Sequence, residues 1–342
     1  GILDTKCSVM RRLKIFYAVQ ATGNGHISRA IELLPYLKKY GDIDVFLSGS
    51  NAALRPDLPV KFRSQGLSLF YRKDGKLNKW KIIKQLNPIR LIREALKLPL
   101  QKYDLILVDY EFITSLACRF RKIPFWHIGH QASFGSPWTP RPQHRDTFAE
   151  WILSNYSKSK NNIGFHFEPY EDWILPPIIK SHLWDVSPTT GKHFTIYLPH
   201  YSKDEIRRYL YGMDGFAFEV FTKEVDSEQK EYNLKWKPID NELFTQSLIS
   251  CKGIITGAGF ETPAEALFLK KPMIVIPIQG QYEQYCNAAA LESFGVLVVN
   301  RLDINFTLIL SKWSKKDHCY TKTPDFIRTE EAVKSFMDKV LD

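Results

Sequence analysis

The segment 254–265 reads IITGAGFETPAE, and it places a short apolar strand, a glycine turn and the start of a helix in direct succession. A second apolar strand follows at 271–277 (KPMIVIP), and a polar loop comes after it at 279–284 (QGQYEQ). This order is typical of a parallel sheet covered by helices. Free backbone N–H groups and the helix dipole point out of such a turn, which predicts an anion site. The simplest ligand for it is the diphosphate of a nucleotide-sugar.

The same alternation of apolar runs and helical stretches continues along the chain. Strands are predicted at 14–19, 44–48, 103–109, 124–128, 193–198, 217–221, 253–256 and 273–276. Helices are predicted at 27–40, 114–121, 202–211, 242–250, 262–269 and 284–294. A length of 342 residues suits two domains. We therefore predict an α/β fold of two Rossmann-like, doubly wound domains (11–186 and 192–324) that face a central cleft, with a helix in 325–342 packing back on the first domain.

The composition is that of an ordinary globular protein, with 44% apolar and 25% charged residues. The five cysteines are scattered without metal-ligand spacing, which favours reduced thiols in a cytoplasmic protein. No apolar run approaches the roughly 20 residues of a membrane span. Residues 1–10 lack the apolar core of a signal peptide and are interpreted as an extension. We expect a cytoplasmic protein.

The net charge of +10 is concentrated in the segment 61–102, which holds twelve Lys or Arg residues and two acidic ones. Phe70, Tyr71 and Trp80 lie among them. Such a segment is either a solvated helix face or a surface for an anionic partner. No nucleic-acid-binding signature accompanies it, so nucleic acid is not expected. A peripheral contact with an anionic membrane at the inner face of the plasma membrane remains open.

Two interpretations compete for the sequence TPAE at 262–265. In the first, Thr262 caps the helix and Glu265 reaches back to the cap in a capping box. In the second, Glu265 turns into the cleft and accepts hydrogen bonds from the two hydroxyls of a ribose. The position after Gly257 and Gly259, at the end of a strand, favours the ligand interpretation.

The loop after the strand at 273–276 is rich in amides and carboxylates. Gln279, Glu283 and Gln284 offer both donors and acceptors, which suits the adjacent hydroxyls of a sugar. The alternative is a solvated loop in which Glu283 caps the next helix. We predict contact with the donor sugar.

The first half has its own glycine turn, GNGH at 23–26, between a strand and a helix. It is not a dinucleotide fingerprint, because Arg29 occupies the place of the third glycine. The glycines let a ligand approach the backbone, and the imidazole of His26 suits general-base chemistry, although a structural role for a lone histidine is the common alternative. Asp109 follows the third strand and could orient His26, act as the base itself or cap a helix. The residues predicted on the acceptor side of this rim are Glu111, His130 and Gln131.

Several catalytic motifs are missing from the sequence. Neither of the rim segments 109–111 and 130–131 provides a metal-binding DxD motif, and the sequence has no cluster with zinc spacing, no phosphate-binding P-loop and no GxSxG nucleophile elbow. We therefore expect neither a metal nor a cofactor.

These motifs together resemble those of the GT-B glycosyltransferases, in particular the MurG-like and UDP-glycosyltransferase-like group. The loop GNGHISR at 23–29 is similar to that group's N-terminal glycine loop, which brings Gly25 to the donor. The segment 259–265, GFETPAE, is similar to its donor motif, whose last Glu holds the ribose. Glu283 and Gln284 are similar to the acid/Gln pair on the donor sugar. The residues that the resemblance assigns to the donor also include Gly257, Gly259, Phe260, Glu261 and Thr262.

The chain also departs from this group. The glycine-rich phosphate loop after the first strand of the second domain is replaced by YLPHYS at 197–202, where His200 or Ser202 would have to substitute. Glu283 stands where MurG-like enzymes carry Gln, so the donor sugar is expected to differ.

The resemblance implies an inverting, metal-independent transfer from a UDP-sugar to a hydroxyl of a lipid-linked or cell-envelope glycan, by a hexosyl- or N-acetylhexosaminyltransferase. His26 or a nearby acid would be the base, and the helix at Thr262 would neutralise the departing diphosphate. Two alternatives remain. One is a nucleotide-sugar epimerase or hydrolase on the same fold, and the other is a non-catalytic nucleotide-sugar-binding protein.

Overall fold

The structure is a computed structural model that describes residues 11–49, 58–67 and 77–342. The described residues form two seven-stranded sheets with helices around them. The predicted α/β class, with two doubly wound sheets facing a cleft, is confirmed. Phe70 and Tyr71 lie outside the described residues.

The first sheet is parallel throughout and has the order β3-β2-β1-β4-β5-β6-β7. Its strands are β1 (Leu13–Gln20), β2 (Gly41–Ser48), β3 (Val60–Ser64), β4 (Leu105–Asp109), β5 (Trp126–Gly129), β6 (Asn161–Phe165) and β7 (Ile174–Leu175). The helices of this half are α1 (Asn24–Leu37), α2 (Lys79–Gln85), α3 (Pro88–Lys97), α4 (Phe112–Arg121) and α5 (Thr147–Asn155). The strand order reverses between β1 and β4, which opens a crevice at their carboxyl ends.

The second sheet has the order β10-β11-β9-β8-β12-β13-β14, and only the β10–β11 pair of the described strands is antiparallel. Its strands are β8 (His193–Tyr197), β9 (Ala217–Thr222), β10 (Gln229–Glu231), β11 (Leu234–Pro238), β12 (Gly253–Thr256), β13 (Met273–Val275) and β14 (Leu297–Val298). The helices are α6 (Lys203–Leu210), α7 (Asn241–Ser250), α8 (Glu261–Phe268), α9 (Tyr282–Glu292), α10 (Phe306–Ser314) and α11 (Thr329–Leu341). The second reversal falls between β8 and β12, which places α8 at the crevice of this sheet.

The C-terminal helix α11 packs against α1 of the first half. Its apolar face is buried through Val333, Phe336 and Met337. Nζ of Lys39 lies 2.7 Å from Oε1 of Glu330 at the edge of this contact. The helix therefore ties the end of the chain back to the first sheet.

Candidate active site

The carboxyl end of β4 and the first turn of α1 bring the two predicted catalytic residues together. Asp109 is the last residue of β4 and is paired in register with Val19 of β1. The chain leaves β1 and enters α1 at Asn24, so His26 lies in the first helical turn. Nδ1 of His26 is 2.7 Å from Oδ1 of Asp109. Because an ionised carboxylate only accepts hydrogen bonds, Nδ1 donates, and in the neutral imidazole Nε2 is then the nitrogen that carries the lone pair.

Asp109 is fully buried, so it cannot itself reach a substrate hydroxyl. Burial raises the pKa of Asp109, but the charges of Arg29 and His26 more than offset this effect, and the pKa lies below its ordinary value. The interpretation of Asp109 as the base itself is therefore not supported by its position. Of the two catalytic roles considered for it, orienting His26 is the one that the geometry allows.

Arg29 is a buried side chain of this site that the sequence analysis did not place among the candidate residues. Its Nη1 donates to Oδ2 of Asp109 over 3.1 Å, and its Nη2 donates to Oε1 of Glu261 over 2.7 Å. The guanidinium lies 5.6 Å from the centre of the Phe165 ring. The only signal in the sequence was its position in place of the third glycine of a dinucleotide fingerprint.

A cavity of about 390 Å³ lies between the two halves, and we call it the α8 cavity. The predicted donor residues that line it are Gly25, Glu261, Thr262 and Glu265. Lys180 and Lys223 contribute cationic side chains. The side chains of Tyr197, Phe221 and Phe244 contribute aromatic rings to the lining. A cavity with cations, a helix N-terminus and aromatic rings can hold an anionic ligand that also carries a flat apolar group.

Helix α8 begins at Glu261, with Phe260 at the N-cap position and no side-chain hydrogen bond to the described N-cap. The capping box, the alternative considered for Thr262 and Glu265, is therefore not formed. Glu265 is buried instead, and its Oε1 lies 3.3 Å from Nζ of Lys180 in the connection between the two halves. Burial raises the pKa of Glu265 above its ordinary value, although the charge of Lys180 opposes this effect. The carboxylate lines the cavity, as the ligand interpretation requires.

A second cavity, which we call the His26 cavity, has a volume of about 350 Å³. His26, Gln131 and Glu283 line it, together with Tyr110 and Tyr282. Nε2 of Gln131 donates to Oε1 of Glu283 over 3.2 Å, so a side chain of each half meets at this cavity. Thr22 and Gly23 line both cavities. The two cavities therefore adjoin each other at the glycine turn of the first half.

Glu111 and His130 do not occupy the positions predicted for them on the acceptor side. Both carboxylate oxygens of Glu111 accept from backbone N–H groups of Ile113 and Thr114, so Glu111 is the buried N-cap of α4. His130 is buried and stacks on Phe260, with ring centres 3.9 Å apart. The carboxylate of Glu111 caps α4, and the ring of His130 contacts the second half.

The stack around His130 is a buried contact between the two halves. Nε2 of His130 lies 2.9 Å from Oδ1 of Asn287 on α9. The ring of His166 lies beside it, with centres 4.8 Å apart. Burial lowers the pKa of His130 and places that of His166 well below its ordinary value. Phe260 belongs to this stack and not to the lining of the α8 cavity as the described residues outline it.

Other residues predicted to bind the donor are not among the described residues that line either cavity. Oε1 of Gln284 accepts from the backbone N–H groups of Ala258 and Ile278, so it joins the two loops at the ends of β12 and β13. Gly257 lies against this amide. The remaining residues of this group are Gly259, the exposed Gln279 and the exposed His200, which packs on Tyr201.

No metal-binding group of three or more His, Cys, Asp or Glu side chains occurs within residues 11–49, 58–67 and 77–342. In the same ranges, no helix is long and apolar enough to cross a membrane.

Residues 13–311 match the family described as glycosyl transferase family 1. The chain therefore belongs to this family, and the expected glycosyltransferase activity is confirmed at the level of the family. No curated protein matches the sequence.

Solved structures with the same fold are glycosyltransferases. The glycosyltransferase SnogD from Streptomyces nogalater matches with a TM-score of 0.56 and 10% identity, over 96% of this chain and 100% of that one. Arabidopsis thaliana UGT89C1 complexed with quercetin matches with a TM-score of 0.59 and 11% identity, over 97% and 94%. Phytolacca americana UGT2 complexed with UDP-2fluoro-glucose and pterostilbene matches with a TM-score of 0.57 and 16% identity, over 96% and 94%. At these identities the likeness shows the GT-B fold.

The buried histidines predict how stability depends on pH. A histidine whose pKa is depressed by folding binds its proton more readily in the unfolded chain, so its contribution to stability is complete above a pH of about 6.5 and is lost below that value. The free energy of unfolding should therefore rise more steeply with pH in the wild type than in His166→Phe, by up to about 1.4 kcal/mol per pH unit between pH 5 and 6.5. Urea unfolding at several pH values measures both slopes. The exposed His144→Phe is the control, and equal slopes in all three proteins would contradict the prediction.

Proposed function

We propose that this protein is an inverting, metal-independent glycosyltransferase that moves a hexose or N-acetylhexosamine from a UDP-sugar to a hydroxyl of a lipid-linked or cell-envelope glycan. The observation that carries the proposal is that His26, paired with Asp109, lines a cavity that shares Thr22 and Gly23 with the α8 cavity. In an in-line transfer the acceptor hydroxyl lies between the base and the anomeric carbon of the donor, so the cavity that holds the base and the acceptor must adjoin the cavity that holds the donor. The MurG-like relationship and the cytoplasmic location belong to the same proposal.

The chemistry follows from the orientation of His26. Nε2 takes the proton of an acceptor hydroxyl held in the His26 cavity, while the hydroxyl oxygen attacks the anomeric carbon of the donor. The new glycosidic bond forms as the bond to the diphosphate breaks, and UDP leaves with the bonding electrons. Attack opposite the leaving group inverts the anomeric centre. The buried carboxylate of Asp109 stabilises the imidazolium that results.

The α8 cavity suits the UDP part of the donor. Glu265 offers carboxylate oxygens to the ribose hydroxyls, and the first turn of α8 offers backbone N–H groups to the diphosphate. Lys180 and Lys223 add positive charge where the family's glycine-rich phosphate loop is replaced. Tyr197 and Phe244, with ring centres 5.6 Å apart, form an aromatic wall suited to a nucleobase.

The donor part of the proposal predicts that UDP and UDP-sugars raise the melting temperature more than their GDP and dTDP counterparts. Glu265→Ala should weaken UDP binding about 10- to 100-fold, because charge-assisted hydrogen bonds contribute about 1.5–3 kcal/mol. Titration calorimetry with UDP measures the change. Glu292→Ala, which removes an exposed acid from the neighbouring α9, is the control. Unchanged UDP affinity in Glu265→Ala would count against the ribose role.

The catalytic part predicts a different signature for His26. His26→Ala should lower kcat about 10²- to 10⁴-fold, the usual effect of a general base, and leave the Kd for UDP nearly unchanged. Turnover with a UDP-sugar and a glycan acceptor should also survive EDTA. His144→Ala is the control. Full activity in His26→Ala would remove it as the base, and a loss in EDTA that Mg²⁺ reverses would overturn the metal-independent mechanism.

An exposed apolar surface on α2 and α3 supports a lipid-linked acceptor. Trp80 is 77% exposed and Ile89 is 70% exposed. The other exposed members of this α2–α3 surface are Ile83, Leu86, Ile92 and Leu96. Basic residues at 79, 81, 84, 90, 93 and 97 accompany them along the same two helices. Apolar side chains with basic neighbours favour an anionic leaflet, where each basic residue contributes about 1 kcal/mol.

The α2–α3 surface lies next to the His26 cavity in the chain and in space. Leu77, two residues before the start of α2, lines that cavity. A lipid-linked acceptor embedded in a leaflet under α2 and α3 would therefore present its glycan close to His26.

This arrangement predicts binding to vesicles of phosphatidylglycerol and phosphatidylcholine at low salt. The double variant Trp80→Ser/Ile89→Ser should bind at least about 10-fold more weakly, because each buried apolar side chain contributes about 1.5–3 kcal/mol. Vesicle co-sedimentation measures the change. Ile304→Ser/Leu308→Ser is the matched control, since Ile304 is 78% exposed on the second half. A wild-type protein that does not bind these vesicles would contradict the membrane part of the proposal.

A further inference from the structure

A continuous chain of hydrogen bonds and ion pairs runs from the proposed base to the other half of the molecule. His26 contacts Asp109, Asp109 contacts Arg29, and Arg29 contacts Glu261, over 2.7, 3.1 and 2.7 Å. The first three residues belong to the first sheet and its helix α1, whereas Glu261 is the first residue of α8 in the second half. Asp109 is thus linked through Arg29 to the helix that lines the α8 cavity.

The central member of this chain, Arg29, is buried to the same degree as the core around it. Its side chain is 4% exposed, and that of Asp109 is 0% exposed. The other titratable groups that face Asp109 are His26 on α1, Tyr17 on β1 and His127 on β5. Burial lowers the pKa of His127 to about 4, so His127 is neutral at neutral pH. Arg29 is therefore the permanent cation beside this carboxylate among the described residues.

Glu261 is placed differently, because its side chain is 30% exposed at the rim of the α8 cavity. The two halves approach closely here: a Cβ atom at Gly25 would lie 3.4 Å from Cγ of Glu261. A fork-shaped guanidinium can hold one carboxylate with each of two N–H groups, which a lysine cannot do in the same geometry. The contact therefore fixes Arg29 from both sides of the cleft.

We propose that Arg29 is a positioning residue that holds Asp109, and through it His26, in the orientation needed for proton transfer, and that Glu261 completes this arrangement only when the two halves are closed. This role rests on the proposed transfer reaction. Opening of the cleft would separate Glu261 from Arg29 and free the guanidinium to rotate, so the base would be ordered only over a closed site. Glu261 then serves the base of the other half and not the donor, for which the sequence predicted it.

The test compares kcat and UDP affinity in Arg29→Met, Arg29→Lys and Glu261→Gln, with Arg12→Met as the control. Arg12 also pairs with an aspartate, Asp42, but at an exposed position away from the cleft. Arg29→Met should lower kcat about 10²-fold, in the range of general-base effects, with less than about a threefold change in the Kd for UDP. Arg29→Lys should recover part of the loss. Arg12→Met should behave as the wild type.

Two double variants, each combined with Arg29→Met, test whether Arg29 acts through Asp109 and together with Glu261. In an Asp109→Asn background, Arg29→Met should cause less than about a threefold additional loss of kcat, because residues that act as a unit are not additive. Glu261→Gln should lower kcat several-fold alone and have no further effect on Arg29→Met. Glu261→Gln leaves the buried pair intact, so it reports on the proposal even if Arg29→Met does not fold.

Three results would overturn the inference. The first is a loss of UDP affinity in Arg29→Met with kcat intact, which would make Arg29 a donor ligand. The second is an equal loss in the wild-type and Asp109→Asn backgrounds. The third is unchanged kcat in Glu261→Gln. A wild-type protein that transfers no sugar would instead defeat the proposed function, whereas an active wild type with fully active variants would defeat only this inference.

Discussion

The burial of one carboxylate, Asp109, constrains much of the surrounding structure. A charged group away from water is stable only when partners compensate it, and removing one partner of a buried pair is strongly destabilising. Arg29 and His26 are those partners, and both come from α1. The helix therefore begins within the segment 23–26, directly after Gly23, and its first two turns carry His26 and Arg29 to the end of β4. The position of the proposed base and the contact with α8 both depend on this start.

The architecture could be predicted because it is determined by apolar patterning. Central strands such as β1 and β12 are continuous apolar runs followed by glycine turns, and these signals are local. The strands that were not predicted lie mainly towards the edges of the sheets. In β3, partly exposed polar and apolar residues alternate, whereas β7 and β14 have two residues each and exist only because a neighbouring strand is present. Their formation depends on pairing between distant segments, which a single sequence does not show.

The sequence indicated which residues lie at the cleft, but it did not indicate most of the side-chain contacts that they make. The carboxyl ends of parallel strands meet on one edge of a sheet, so placing His26, Asp109 and Glu265 at the cleft required only the strand order. The partners of polar residues depend on the other half of the molecule. His130 lies on the predicted rim but stacks on Phe260 of the second half. Glu111 caps α4, the helix that begins at the next residue. Arg29 has no local signal for its two carboxylate partners, because they lie 80 and 232 residues away.

The start of α8 shows how such a distant contact changes the chemistry of a nearby residue. The local sequence favours Thr262 as the cap, since Phe has no side-chain acceptor for the first helical N–H groups. Packing favours the earlier start, because Phe260 can stack on His130 only where the helix begins at Glu261. This start places Glu261 towards Arg29 and turns Glu265 from the helix cap to the cavity, where Lys180 meets it. The contact between the halves therefore determines that Glu261 meets Arg29 and that Glu265 meets Lys180 at the cavity.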